Sequence, residues 1–107
     1  MDMIELKRKV NFVKDIETAV KKARHDITEI KYEVYERDGQ GVQEWIIIGF
    51  KGGAIIARNS NANSISAIFR EIGRYLDGGY YEEVEFYEAM KNNSLWKKIN
   101  FKTEEEE

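Results

Sequence analysis

Two glycine-containing turns in the middle of the chain constrain its fold more than any other feature. They occupy residues 37–41 and 51–53, and the Asp38-Gly39 pair in the first turn is typical of a tight hairpin, which needs positive φ angles. The stretches beside them are rich in β-branched and aromatic residues, and in the first stretch apolar and polar residues alternate. The sequence therefore predicts three strands in an antiparallel meander, over residues 27–36, 44–50 and 54–58.

Helical periodicity is found on both sides of this meander. Residues 4–25 carry an apolar stripe with a period of 3.6 residues, in which Glu17 forms a gap. Residues 65–76 repeat the pattern after a polar run of residue types that cap helix N-termini. Asp77-Gly78-Gly79 follows, which is a typical helix end. Both segments are therefore predicted to be amphipathic helices.

A third and shorter helix is predicted over residues 80–92. Its inward positions are Tyr81, Val84, Met90 and one of Phe86 and Tyr87. Residues 94–101 then form either a last helical turn or an extended segment that packs back on the body. The order α-β-β-β-α-α predicts a single α+β domain over residues 1–102, with helices on one face of a three-stranded sheet, and an acidic disordered tail over residues 103–107.

Composition limits the classes of protein open to a chain of 107 residues. The chain has no cysteine, which excludes a disulfide scaffold, a thiolate metal site and a cysteine nucleophile. Its longest apolar stretch, residues 45–50, is far too short to span a bilayer. The first residues lack the basic and apolar regions of a signal peptide, so we expect a small cytoplasmic protein.

The sequence predicts no catalytic residue, no metal ligand and no cofactor. The single histidine, His25, has Asp26 beside it and Glu29 four residues later, but one imidazole without a second nitrogen or sulfur ligand is a poor metal site. The glycine pairs at 52–53 and 78–79 do not precede a helix in a phosphate-binding motif. We therefore expect His25 to lie at the surface and the protein not to be an enzyme.

The first predicted helix is basic. Residues 1–24 carry seven basic and four acidic groups. Lys7, Lys14 and Lys21 recur every seven residues and so form a lysine stripe along one face of this helix. Lys9, Lys22 and Arg24 are expected to widen the stripe. It either contacts the phosphates of a nucleic acid, as in a small nucleic-acid-binding or regulatory domain, or is the ordinary solvated face of an amphipathic helix.

The last third of the chain is acidic and aromatic, although the whole chain has a net charge of only -3. Residues 77–107 carry four basic and nine acidic groups. Six aromatic residues fall within 22 positions: Tyr75, Tyr80, Tyr81, Phe86, Tyr87 and Trp96. Tyrosine presents an apolar body and a polar tip at protein interfaces, and carboxylates around it favour a basic partner. We predict a partner-binding surface formed by Asp77, Tyr80, Tyr81, Glu82, Glu83 and Glu85.

The stretch that ends at Met90 also resembles a known family. Its pattern is Ser64-Ile65-x-x-x-Phe69, a glycine after that helix, and then Glu82-Glu83-Val84-Glu85-Phe86-Tyr87-x-x-Met90. Together with the α-β-β-β-α-α order, this pattern is similar to the small phage-encoded anti-CRISPR proteins. The likeness covers roughly residues 43–90 and is specific over the Glu-Phe-Tyr-x-x-Met segment. The family's acidic hairpin turn corresponds here to Lys51-Gly52-Gly53, which is shorter and carries a lysine.

The resemblance implies an inhibitor of the RNA-guided nuclease of type II-A CRISPR immunity. Members of the family bind the guide-loaded nuclease, and their acidic face mimics DNA in the cleft that reads the protospacer-adjacent motif. Here that face would include Glu82 and Glu83. The leading hypothesis is a phage or mobile-element protein that occludes a host nucleic-acid-processing complex in the host cytoplasm. Direct nucleic-acid binding by the lysine stripe and a homodimer that pairs an exposed sheet edge are the alternatives.

Overall fold

The computed structural model describes residues 3–78 and 83–101 of the chain. The helices in these residues are α1 (Met3–Ala23), α2 (Ile65–Leu76) and α3 (Val84–Lys91). The strands are β1 (Ile27–Arg37), β2 (Gly41–Phe50), β3 (Ile55–Asn59) and β4 (Lys97–Lys98). Their order matches the predicted α-β-β-β-α-α order with one short strand added at the end. The predicted tail, residues 103–107, lies outside the described residues.

The strands of the described residues form one antiparallel sheet with the spatial order β3-β2-β1-β4. The α+β fold is confirmed, but the expected number of three strands is wrong. The fourth strand comes from the segment for which the sequence allowed either a helical turn or an extended conformation. Lys98 pairs with Tyr35, and the Ile99 amide donates to the Val34 carbonyl over 2.8 Å. The segment is extended because Ile99 and Phe101, two residues apart, both pack against the core.

Both faces of the sheet are buried, and helices cover each of them. α1 and α2 pack on the first face, and α3 packs on the second face. The expectation that the helices lie on one face is therefore wrong. The second-face cluster consists of Tyr35, Trp45, Ile47, Ala57, Tyr87 and Met90.

The two-sided burial follows from apolar residues at consecutive positions of the inner strands. In β2, Ile46 and Ile48 belong to the core of the first face, while Trp45 and Ile47 belong to the second-face cluster. Successive side chains of a strand point to opposite faces, so a continuous apolar run needs a cover on each side. A strand of this kind cannot leave one face to solvent.

A bulge near the start of β1 explains the acidic gap in the apolar stripe of α1. The register of β1 against β2 shifts at Thr28. Across from the bulge, a Cβ added to Gly49 would lie 2.8 Å from the Glu29 side chain, so glycine is needed there. The Glu17 carboxylate of α1 accepts a hydrogen bond from the Ile30 amide, just beyond the bulge, over 2.8 Å. Glu17 therefore satisfies a backbone donor of β1.

Local capping residues set the ends of α2, and its predicted bounds are confirmed. At its start, the Ser64 hydroxyl accepts a hydrogen bond from the Ala67 amide over 3.1 Å. At its end, Asp77 is the C-cap residue and Gly78 follows with a φ of 86°. The third helix begins at Val84, with Glu83 as its N-cap residue, and ends at Lys91, so the predicted range of 80–92 is wrong at residues 83 and 92, while residues 80–82 lie outside the described residues.

Candidate interaction surfaces

The structure divides the predicted partner-binding surface into residues with different roles. Asp77 is exposed at the end of α2, and Glu85 is exposed on α3. Glu83 is half-buried, because its carboxylate lies 2.9 Å from the Arg58 guanidinium and accepts from the Asn59 amide over 3.3 Å. Tyr80, Tyr81 and Glu82 lie outside the described residues. Glu83 thus attaches the start of α3 to β3. Its role in the predicted partner-binding surface is therefore to position α3.

The outward face of α3 carries a phenylalanine beside two carboxylates. The Phe86 side chain is 72% exposed, and Glu85 and Glu88 are exposed as well. We call these three residues the acidic-aromatic face. Of the two candidates for the inward position, Tyr87 is buried, as is Met90. Sequence reasoning did not assign Phe86 to the surface, although neighbours on a helix point about 100° apart, so that an inward Tyr87 turns Phe86 outward.

A cleft of about 470 Å³ lies beside Phe86, between α3 and the β2–β3 part of the sheet. Trp45 and Met90 contribute its apolar lining, and the amide side chains of Asn59 and Asn61 contribute polar groups. The exposed Phe86 side chain therefore adjoins a cleft. Protein interfaces concentrate binding energy in aromatic side chains that fill pockets.

A buried carboxylate fastens α3 to the sheet. Glu33 of β1 is 8% exposed, and its carboxylate accepts hydrogen bonds from the Tyr87 phenol and, over 2.9 Å, from the Tyr35 phenol. The Lys98 ammonium of β4 lies 3.2 Å from the same carboxylate. We call these four residues the Glu33 cluster. The Lys91 ammonium of α3 adds a cation–π contact, 4.8 Å from the centre of the Tyr87 ring.

The protonation states in the Glu33 cluster follow from its surroundings. Burial alone would raise the pKa of the Glu33 carboxyl, but the phenol donors and Lys98 outweigh burial, so that its pKa is lowered. Burial raises the pKa of Tyr35 to about 12, and burial with the adjacent carboxylate raises the pKa of Tyr87 further. At neutral pH both phenols therefore donate to a charged carboxylate, which is a strong form of hydrogen bond. Sequence reasoning missed this cluster because alternation placed Glu33 and Tyr35 on the outer side of a half-buried strand.

The lysine stripe lies on α1, with Lys14 and Lys21 exposed and Lys7 half-buried. Lys9, which was expected to widen the stripe, is instead buried. Its ammonium donates to the Glu44 carboxylate and to the Ala62 carbonyl, each over 3.0 Å. This is a correction: Lys9 faces the sheet and serves the core. Arg24 pairs with Asp26 over 2.7 Å and is thus engaged locally.

Groups that could hold a metal ion and helices that could span a membrane are not found in the described residues. His25 is exposed, as expected. Within residues 3–78 and 83–101, no three or more histidine or acidic side chains form a group that could hold a metal ion. The helices in these ranges are also too short or too polar to cross a bilayer.

No protein-family model, curated protein or solved structure matches the chain. The functional conclusion therefore depends on the surfaces described above and on the residues that carry the family resemblance. Of these surfaces, the acidic-aromatic face combines exposed apolar area, negative charge and a fixed support.

Proposed function

We propose that this chain is an interaction protein that binds a basic surface of a protein partner through the acidic-aromatic face of α3. The exposure of Phe86 beside Glu85 and Glu88 is the observation that carries the proposal. Aromatic side chains are frequent anchors of protein interfaces, and complementary charge around them selects the partner and speeds its association.

The resemblance to anti-CRISPR proteins supports a guide-loaded type II-A nuclease as the partner. The cleft with which such a nuclease reads the protospacer-adjacent motif presents arginine side chains to DNA. Carboxylates are the protein groups that bind guanidinium in the same bidentate way. Bound there, the acidic-aromatic face would exclude target DNA, and the protein would act as an inhibitor from a phage or other mobile element without a reaction of its own.

The attachment of α3 to the sheet supports this function. An isolated helix of eight residues is unstable in water, so α3 depends on its contacts with the sheet. The Glu33 cluster holds the middle of α3, and the Glu83–Arg58 pair holds its start. A partner therefore meets side chains that are already in place and does not have to order them during binding.

The test is cleavage of target DNA by a panel of guide-loaded type II-A nucleases. We expect inhibition when the protein is added before the target DNA, and none once the DNA is bound. The Glu85→Lys/Glu88→Lys variant and the Phe86→Ala variant should each raise the half-inhibitory concentration by at least about tenfold, because both remove central contacts.

Asp38→Lys is the control, since it reverses an exposed charge outside α3, in the turn between β1 and β2. It should inhibit like the wild type, and all variants should keep the far-UV circular dichroism of the wild type. Undiminished inhibition by the Glu85→Lys/Glu88→Lys variant would show that the partner does not bind at α3. No inhibition across the panel would contradict the nuclease as the partner.

Direct nucleic-acid binding is the second candidate function, and the exposure of Lys14 and Lys21 on α1 favours it. The two candidates differ in a simple binding assay with labelled DNA and no nuclease. Binding that weakens steeply as salt is added, and that Lys14→Gln/Lys21→Gln removes, would favour the lysine stripe.

A further inference from the structure

A second exposed phenylalanine lies at a cleft between α1 and α2. The Phe69 side chain of α2 is 61% exposed, and the centre of its ring lies 6.3 Å from the centre of the Phe12 ring on α1. The cleft has a volume of about 510 Å³ and is lined by Phe12, Ile65, Ser66, Phe69 and Arg70. We call it the Phe69 cleft. An apolar cleft beside an exposed ring is typical of a binding surface.

The outward face of α2 beside this cleft is basic. Arg70 and Arg74 are one helical turn apart and exposed, and neither forms an ion pair with another described residue. The acidic residue between them, Glu71, is half-buried. Its carboxylate accepts hydrogen bonds from the Tyr75 phenol over 2.8 Å and from the Ser60 hydroxyl over 3.3 Å. The carboxylate of α2 is therefore engaged within the protein, and its arginines face solvent.

The charges on the α1 side do not line the cleft. Arg8 and Glu5 pair with each other over 3.8 Å, and Asp15 is exposed. Among the described residues that line the Phe69 cleft, Arg70 is the charged one. An apolar side chain with carboxylates beside it therefore fits the cleft better than one with basic neighbours.

The acidic-aromatic face of α3 has this composition. Phe86 is 72% exposed, with Glu85 and Glu88 exposed beside it. Neither carboxylate forms an ion pair with another described residue. The two glutamates are three residues apart and the two arginines of α2 are four apart, so each pair spans about one helical turn. With the Phe86 ring in the cleft, the glutamates can bind the guanidinium groups.

The two surfaces cannot meet within one molecule. α2 packs on the first face of the sheet and α3 on the second face, so the sheet lies between their outward sides. For the same reason, one neighbouring copy cannot cover both surfaces at once. A contact between them therefore joins different copies in a head-to-tail arrangement.

We propose that copies of this chain associate head to tail, with Phe86 of one copy in the Phe69 cleft of the next. Each added copy leaves one cleft and one acidic-aromatic face open, so the assembly grows with protein concentration unless the copies close into a ring. A contact between two short helix faces belongs to the small, transient class of interfaces. Association covers the acidic-aromatic face, and dilution releases it. This proposal does not depend on the proposed function.

The experiment is sedimentation velocity of the full chain from about 10 μM to about 1 mM, the range in which a weak contact forms. We expect the mean mass to rise with concentration and to fall when salt screens the exposed charges. Arg70→Glu/Arg74→Glu should raise the dissociation constant at least about tenfold, because it reverses the charge at the cleft. Lys14→Glu/Lys21→Glu is the matched control. It changes the net charge equally, on the lysine stripe, and should associate like the wild type.

A charge exchange tests the pairing itself. Glu85→Lys/Glu88→Lys should weaken association as much as the arginine variant does. The chain that carries all four reversals should associate again, because complementary charges are restored at the net charge of the wild type. This recovery also shows that the single-face variants lose a contact and not their fold, which their far-UV circular dichroism checks independently.

A mixture tests the head-to-tail arrangement. Phe86→Ala lacks the anchor and should be monomeric alone, as should Arg70→Glu/Arg74→Glu. Mixed, the two variants should form a dimer with one copy of each and nothing larger, since one intact cleft meets one intact acidic-aromatic face and the remaining two surfaces repel each other.

Two results would overturn the proposal. One is a wild type that stays monomeric up to about 1 mM, where even a weak contact is populated. The other is association that Glu85→Lys/Glu88→Lys leaves unchanged, since the copies would then meet through other surfaces, such as two clefts or two sheet edges. Inhibition of a nuclease by dilute protein does not depend on either result.

Discussion

Glu33 is a charged side chain in the interface between α3 and the sheet, and its partners determine what its loss would do. Burial of a carboxylate is unfavourable unless donors satisfy it, and here two phenols and an ammonium do so. Removal of the charge weakens the bond to Tyr87, which joins α3 to β1. Glu33 therefore contributes to the attachment of α3 to β1 as long as its carboxylate is charged.

We expect Glu33→Gln to lower the free energy of unfolding at pH 7 by roughly 2 kcal/mol, since hydrogen bonds to a charged group are worth about 1.5–3 kcal/mol. The pKa of Glu33 in the folded protein is lowered from its ordinary value of 4.5. Its contribution is thus fully present above that value and is lost as the pH falls through the lowered pKa. The difference between the wild type and the variant should shrink accordingly in acid. Urea denaturation at a series of pH values measures this.

Glu36→Gln is the control for this prediction, because Glu36 is exposed on the same strand. It should leave the free energy of unfolding nearly unchanged at each pH. A Glu33→Gln variant as stable as the wild type at pH 7 would show that the carboxylate charge contributes nothing to the attachment of α3.

At the scale of the elements, a hydrogen bond from the Ile30 amide to Glu17 joins α1 to β1 in addition to their apolar packing. Glu17→Ala should lower the free energy of unfolding by about 1–2 kcal/mol, because it leaves the Ile30 amide without its acceptor at the bulge. Glu17→Gln keeps an oxygen acceptor and should lose less. Urea denaturation and the exchange rate of the Ile30 amide measure both variants. A Glu17→Ala variant as stable as the wild type would mean that this bond has no net effect on stability.

Elements with local signals could be predicted from the sequence, and those that depend on distant partners could not. The bounds of α2 follow from Ser64 and Gly78, which act within one helical turn. By contrast, β4 contains only two lysines and forms because Ile99 beside it bonds to β1, more than 60 residues earlier. The apolar run of β2 predicted burial, but only the packed structure showed that α3 covers the second face.

In the candidate site, too, features with a local signal could be predicted and features that depend on distant residues could not. Acidic composition around the third helix predicted that Glu85 is exposed, and this is what the structure has. The sequence could not distinguish Phe86 from Tyr87, since the choice depends on the position of Glu33 across the sheet. Nor could it distinguish the exposed Glu85 from Glu83, whose partner Arg58 comes from β3.

At the scale of the whole molecule, the two faces of the sheet differ in the number of side chains that are buried against them. Among the described residues, the core of the first face contains thirteen buried side chains and the second-face cluster six. α3 contributes two of the six, Tyr87 and Met90. Release of α3 therefore exposes much less apolar area than release of α1 and α2. Segments with few buried contacts open at lower free energy than the rest of a protein, so α3 should open before the sheet.

Native-state hydrogen exchange tests this order of opening. The amides of α3 should exchange at a lower free energy, and with a weaker dependence on denaturant, than the amide of Ile46 in β2.

Met90→Ala should lower the free energy of opening of α3 by about 2 kcal/mol, because it removes a buried side chain from a small cluster. Because β2 opens only after α3 in this order, the same variant should lower the free energy of opening of β2 by a similar amount and leave the difference between the two free energies unchanged. Trp45 lies under α3, so quenching of its fluorescence in a Trp96→Phe background should rise in parallel. If the amides of α3 and of β2 instead exchange at the same free energy and with the same dependence on denaturant, the sheet and α3 open as one unit, and the attachment of α3 is part of the global fold.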